Sequence, residues 1–460
     1  MKTRITLILV ALFMSFNVSF AQQDEECMTN LTIFTDYVKS KKYDEAYEPW
    51  MKVRTKCPKF NYAIYAYGEK ILKHKIDNTS GTEKVAYIND LMKVWDEGMS
   101  NFSNKYKLGE VLSDKALLMY DHQKELGLSD KQVYDAFDKA YKQDLENFTS
   151  SKGLYVYFTK IVDLNKAGQA DIQAVFNKYD DITEQLDNIT KSFTENLNKL
   201  VEKEEAGQSL TSKEDKYKTY YSDSIEAYEK IGGSLDTYLG QLANCENLIP
   251  LYKKDFETYK NDAVWLKRAV NRMYNKECTT DPLYIDLVKA YDATEPSSDT
   301  KYFVATILFE QGKENEAIGY LKEAFDLQTE KYKKGKLAEK IGSILKKKGR
   351  YGEARGYYRD ALRLNPSNGR PHLSIAAMYA SSANNCGDTN FNKRAVFWLA
   401  AEEARKAGRV DANLKSAAAQ SAASYEAKAP TRAEIFSCDC QGKTINIGCW
   451  IGASVVVPKL

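Results

Sequence analysis

The stretch from Gly335 to Pro366 reads GKLAEKIGSILKKKGRYGEARGYYRDALRLNP, and the spacing of its small residues decides the fold class. Two segments of helical period meet at a tight break, Lys348-Gly349-Arg350-Tyr351. With Gly335 as the first position, Gly342 is eighth, Gly349 fifteenth, Ala354 twentieth, Tyr358 twenty-fourth, Ala361 twenty-seventh and Pro366 thirty-second. Small side chains at Gly342, Ala354 and Ala361 allow two antiparallel helices to approach closely. Tyr358 fills the space between them, and Pro366 stops the second helix.

The same frame recurs elsewhere. Counting from Cys27, Tyr37 is eleventh, Tyr43 seventeenth, Ala46 twentieth, Trp50 twenty-fourth and Pro58 thirty-second. Counting from Ser298, Ala305 is eighth, Gly312 fifteenth, Ala317 twentieth, Leu321 twenty-fourth and Ala324 twenty-seventh. A frame on Gly369 keeps Ala376 and Tyr379, but its inner loop is expected to swell over Ser381–Asn390, before a second helix at Phe391–Lys406. Asn244–Thr258, Asp262–Lys276 and Leu283–Ala293 read as further helices of the series. Between 61 and 170 the pattern weakens to Gly68, Trp95 with Gly98, and Phe137 with Ala140. Asp411–Lys428 is an alanine-rich helix suited to closing such a series, whose open end would otherwise expose apolar surface.

This pattern resembles the tetratricopeptide-repeat superfamily, most clearly over 27–58 and 298–380. The resemblance implies an all-α superhelix whose first helices of each repeat line a groove for a peptide or a partner helix. Carried over position by position, it puts Tyr302, Phe303 and Phe309 in that groove beside Lys336, Lys340, Lys347 and Arg370. An aromatic patch next to a basic one suits a segment with an apolar anchor and carboxylates. The chaperone-binding members use asparagine where this chain has Ser343, so their carboxylate clamp is not expected here.

Residues 171–244 follow a different rule. Val175, Tyr179, Ile182, Leu186, Ile189, Phe193 and Leu200 alternate by four and three, broken where Asn196 takes a seam position, and Tyr217, Tyr221, Tyr228, Ile231, Leu235, Tyr238 and Leu242 do so with Ser224 as a polar seam residue. Joined by the polar Ala206–Lys213 turn, they read as an antiparallel coiled-coil hairpin with helices of roughly 30 residues. Gly232-Gly233 is expected to kink the second helix.

The first 21 residues read as a secretory signal peptide: Lys2 and Arg4, then the apolar run Ile5–Phe13, then Ser19-Phe20-Ala21 before the cut. Export predicts that the eight cysteines pair. Cys27 with Cys57, and Cys245 with Cys278, fall at matching ends of adjacent helices and are expected as disulfides. Cys438 and Cys440 are two apart, a spacing that rarely meets disulfide geometry, so each is expected to face Cys386 or Cys449. After Pro430 the chain turns strand-like, with Thr444–Ile447, Gly448–Ile451 and Ser454–Val457 as short strands too small to stand alone.

The expected organisation is therefore a signal peptide (1–21), a degenerate array (22–170), a coiled-coil hairpin (171–244), a regular array (245–410), a capping helix (411–430) and a β tail (431–460). A net charge of +2 argues against nucleic acid or a membrane surface as partner. His74, His122 and His372 stand in no catalytic or metal-binding spacing, and no cofactor, metal or catalytic set is expected. The function this predicts is a non-catalytic scaffold in the periplasm or at the periphery of the outer membrane, serving envelope assembly or secretion. The alternative is an enzyme with its active site in the irregular 386–460 region.

Overall fold

The computed structural model describes residues 25–460 apart from Gln241, so the expected signal peptide lies outside the described residues. Among those residues the chain is all-α but for one two-stranded sheet near its end. It forms two compact units that divide between Ile182 and Thr183.

The first unit contains α1 (residues 25–39), α2 (Tyr43–Lys56), α3 (Ala63–Asn78), α4 (Gly81–Asn101), α5 (Leu108–Asp121), α6 (Asp130–Gln143) and α7 (Ser151–Lys166). It ends within α8 (Ile172–Glu205). Trp50, fully buried, organises the opening repeats. Its Nε1 donates to the Ile64 carbonyl at 2.7 Å, and its ring lies where a Cβ on Gly68 would come within 2.6 Å. Over that ring sits the buried Arg54, paired with Asp90 at 2.9 Å and Glu97 at 2.7 Å. Cys27 is bonded to Cys57 across α1 and the end of α2, with Cα atoms 6.4 Å apart. α3 keeps its helix through Asn78, so only Thr79 and Ser80 separate it from α4.

The second unit holds the rest of α8, then α9 (Ser212–Gly240), α10 (Cys245–Tyr259), α11 (Ala263–Asn275), α12 (Pro282–Thr294), α13 (Ser298–Glu310), α14 (Glu314–Leu327), α15 (Lys331–Lys347) and α16 (Tyr351–Leu364). There follow α17 (Arg370–Cys386), α18 (Asn390–Val410), α19 (Lys415–Glu426), α20 (Arg432–Ser437) and the strands β1 (Thr444–Ile447) and β2 (Ala453–Val456). Helices α10 to α13 start where side chains cap them, at Asn244, Asp262, Asp281 and Ser297. Helices α13 with α14, α15 with α16, and α17 with α18 form consecutive hairpins. In the α15–α16 hairpin a Cβ on Gly342 would meet the Tyr358 ring at 2.9 Å, and Ala354 and Ala361 are buried, as the spacing requires. Gly349 makes the turn with φ +75°.

α8 and α9 run antiparallel: Phe193 meets Tyr221 and Tyr228, while Lys203 pairs with Glu214 and Lys218 with Glu204 nearer the turn. The expected kink does not separate α9 into two, since the helix is continuous through Gly232 and Gly233.

Three expectations for the C-terminal part are corrected. The region around Cys386 is not a swollen loop but an extension of α17, held because Cys386 is bonded to Cys449 and Ser382 receives the Trp450 indole N–H at 2.9 Å. Gly448–Ile451 is a turn rather than a strand, and only β1 and β2 pair, with Thr444 opposite Val456. Cys438 is bonded to Cys440: Asp439 between them takes φ 48°, in the left-handed region, and the Cα atoms come to 5.2 Å, inside the disulfide range. Cys245 is bonded to Cys278, with Cα atoms 5.5 Å apart.

Between α17 and α18, His372 Nδ1 lies 2.6 Å from Glu403, which also pairs with Lys406 at 3.0 Å. Burial pushes the Glu403 carboxyl up, but these two partners outweigh it and hold its pKa below the ordinary glutamate value. A depressed carboxylate pKa contributes stability above its unfolded value, about 4.3, that is lost as pH falls through the folded one. Glu403→Gln should therefore cost about 1–3 kcal/mol at neutral pH and flatten the acid limb of the melting-temperature profile.

Candidate partner-binding groove

Helices α13, α15 and α17 carry the side chains that the repeat frame assigns to the groove, and they divide into two groups. Tyr302 and Phe303 are buried, 6% and 4% exposed. They pack edge-on against each other and against Tyr274, whose hydroxyl lies 2.9 Å from that of Tyr302. α13 buries Ala305, Thr306 and Leu308 as well, so it is apolar on most of its circumference and sits inside the array. The expected aromatic patch is therefore largely core. Burial, then the neighbouring Tyr274, pushes the Tyr302 hydroxyl pKa up. Phe309 is half-buried, with the Lys348 ammonium 5.2 Å from its ring.

The basic group is exposed, and two of its members already hold carboxylates. Lys336 pairs with Asp187 of α8, and Arg370 pairs with Glu229 of α9 at 2.6 Å. Burial works against the Arg370 charge, and the Glu229 carboxylate outweighs it, so its pKa is raised. Lys340 stands beside Lys336 with its ammonium 5.7 Å from the Tyr302 ring. It touches solvent, yet lost hydration and the like charge of Lys336 hold its pKa below the ordinary lysine value. Lys347 is exposed near the end of α15.

Other contacts continue this pattern along α8. Arg268 of α11 lies 3.4 Å from Glu184, Tyr332 donates to Asp187 at 3.4 Å, and Lys191 pairs with Glu330 at 2.8 Å. The Ser367 backbone N–H donates to the Asn198 side chain at 3.0 Å, and Lys331 lies 3.5 Å from Glu202. Between the hairpin and the array remains a cavity of about 400 Å³, walled by Asp187, Tyr228, Tyr332, Glu339, Arg370 and Asp411 among others. The repeat frame missed Tyr332 because α15 begins a turn before Gly335. It missed Asp187 and Glu229 because isolated carboxylates on a long helix look like a solvated face.

In the 386–460 region several conspicuous groups have structural uses. Trp450 packs edge-on to Tyr351 and tilted against Tyr379 with Arg355 over its ring, and Arg355 donates to the Ile451 carbonyl. Asp411 accepts from the Gly369 N–H, and Glu434 caps α20 and pairs with Arg394. Among the described residues no cluster of His, Cys, Asp or Glu converges as a metal-binding group, and no helix is long and apolar enough to cross a membrane.

No family model matches the sequence, and no curated protein matches it. Among solved structures it is similar to a tetratricopeptide repeat protein from Parabacteroides merdae, at 13% identity over 68% of this chain and 97% of that one, with a TM-score of 0.24. It is also similar to the human IFIT1 dimer with PPP-AAAA, at 11% identity over 88% of this chain and 94% of that one, with a TM-score of 0.29. By its own geometry, with small residues and Tyr358 set into consecutive helical hairpins, the chain is a helical repeat array.

Proposed function

We propose that this protein is an exported, non-catalytic scaffold of the bacterial envelope that takes a partner protein through the basic face of α15 and α17, in envelope assembly or secretion. The observation that carries the reading is the capacity of that face for carboxylates, since Lys336 and Arg370 each hold one. Four disulfides and the signal-like first 21 residues support an oxidising compartment outside the cytoplasm.

The test is capture after in-cell crosslinking, comparing wild type with the Lys336→Glu, Lys340→Glu, Lys347→Glu and Arg370→Glu variant. Capture should fall several-fold at low salt and less at high salt, because exposed charges are screened over about 8–10 Å at ordinary ionic strength. Melting should change little, as surface pairs contribute little to folding. A folded variant that captures every partner as well as wild type does would refute the reading. The buried Tyr302 and Phe303 are excluded from this test because truncating them would damage the core.

A further inference from the structure

We infer that the α8–α9 hairpin is a resident, displaceable ligand of the array's own groove, and that the partner is an acidic amphipathic helix that replaces it. This rests on the scaffold reading and names the partner class. Three cations from three array helices, Arg268, Lys336 and Arg370, hold three hairpin carboxylates, Glu184, Asp187 and Glu229, from 84, 149 and 141 residues away. On α8, Glu184, Asp187, Lys191, Asn198 and Glu202 recur at helical spacing, so one face of that helix meets the array. This is the geometry by which a groove reads a helix.

The contact is built to come apart. A permanent core is close-packed, whereas here a cavity of about 400 Å³ remains between hairpin and array beside their direct contacts. The ion pairs around it are part-exposed, and such pairs hold weakly. One apolar cluster brings Leu197 and Val201 together with Tyr221, Ile225 and Val410. Among the groove's cations, Lys340 is one that the hairpin does not satisfy. Lys340 makes no ion pair among the described residues, and the carboxylates that bear on it, Asp187 and Asp299, are engaged by Lys336 and Lys267. A helix offering one more carboxylate would bind the groove better than the hairpin does, and that difference drives the exchange.

The probe is a fluorescent synthetic peptide of residues 183–205, added to the mature full chain at low salt and followed by anisotropy. In the variant Glu184→Gln, Asp187→Asn, Glu229→Gln the hairpin loses its hold, and the peptide should bind at least tenfold tighter than to wild type. Amide exchange should rise across 183–240 and stay unchanged in α15 to α18, which also reports that the array is folded. Should the triple variant misfold, Glu229→Gln alone is expected to give a two- to threefold gain. Adding Lys336→Glu and Arg370→Glu should abolish binding. Equal peptide affinity in wild type and the folded hairpin variants overturns this inference, while charge-dependent capture of cellular partners would leave the scaffold reading standing. Loss of neither peptide binding nor partner capture on charge reversal overturns both.

Discussion

Replacing Trp50 by alanine should destabilise the first unit by about 3–5 kcal/mol, the range for truncating a large buried aromatic. The indole is fully buried, and its removal leaves a cavity between α2 and α3 bounded by a glycine that cannot fill it. It also strips the surface on which Arg54 rests. That guanidinium, held charged by Asp90 and Glu97 against the opposing effect of burial, would face a void. Hydrogen exchange of amides in α2 to α4 is the suitable measurement, because a chain of two units need not unfold in one step. A companion variant makes the argument specific. Gly68→Ala should be strongly destabilising alone, since its Cβ would lie 2.6 Å from the Trp50 ring, and nearly harmless with Trp50→Ala. Simple addition of the two effects would show that the close approach of α2 and α3 is not what Gly68 provides.

Exchanging Cys386 and Cys449 for serine should free the β tail. The bond closes a loop of 63 residues, worth about 4 kcal/mol in the chain-entropy account. The two strands cannot stand alone, being four residues each. What remains is the seat of Trp450 between Tyr351 and Tyr379, its bond to Ser382, the Arg355 and Arg394 contacts to Ile451 and Glu434, and the buried Ile447, Ile451 and Val457. Limited proteolysis should therefore cut 431–460 many times faster in the double serine variant while α11 to α16 stay resistant. Adding Trp450→Ala should make the tail as susceptible as an unfolded segment. A tail that resists cleavage in the triple variant would mean that Ile447, Ile451 and Val457, with the Arg355 and Arg394 contacts, suffice to hold it.

Much of this fold was legible because its decisive contacts are local. Gly342 meets Tyr358 sixteen positions on, and Trp50 meets Gly68 eighteen on, so the interface between neighbouring helices is written in residue spacing. The pairing of Cys27 with Cys57 and of Cys245 with Cys278 follows from the same frame, because an antiparallel hairpin returns to its own starting end. Even the starts of α10 and α11 were within reach, through Asn244 and Asp262.

The candidate site was only half legible. The frame named Lys336 and Arg370 but offered Tyr302 and Phe303 as a binding surface, and they are core. Repeat position tells which side of a helix a residue occupies. It does not tell whether α11, α12 and α14 close over that side. Nothing in the spacing of α8 and α9 marks Asp187 or Glu229 as ligands, since a carboxylate on a solvated face and one held by a cation 149 or 141 residues away are identical in sequence. The pairing of Cys438 with Cys440 depended on one left-handed residue, Asp439, and that of Cys386 with Cys449 on where Trp450 seats the tail. Sequence alone determined the repeat, because helical period and side-chain size act between neighbours. Only the tertiary structure decided that Lys336 and Arg370 face carboxylates of α8 and α9, because exposed charges find partners through space and leave no period behind.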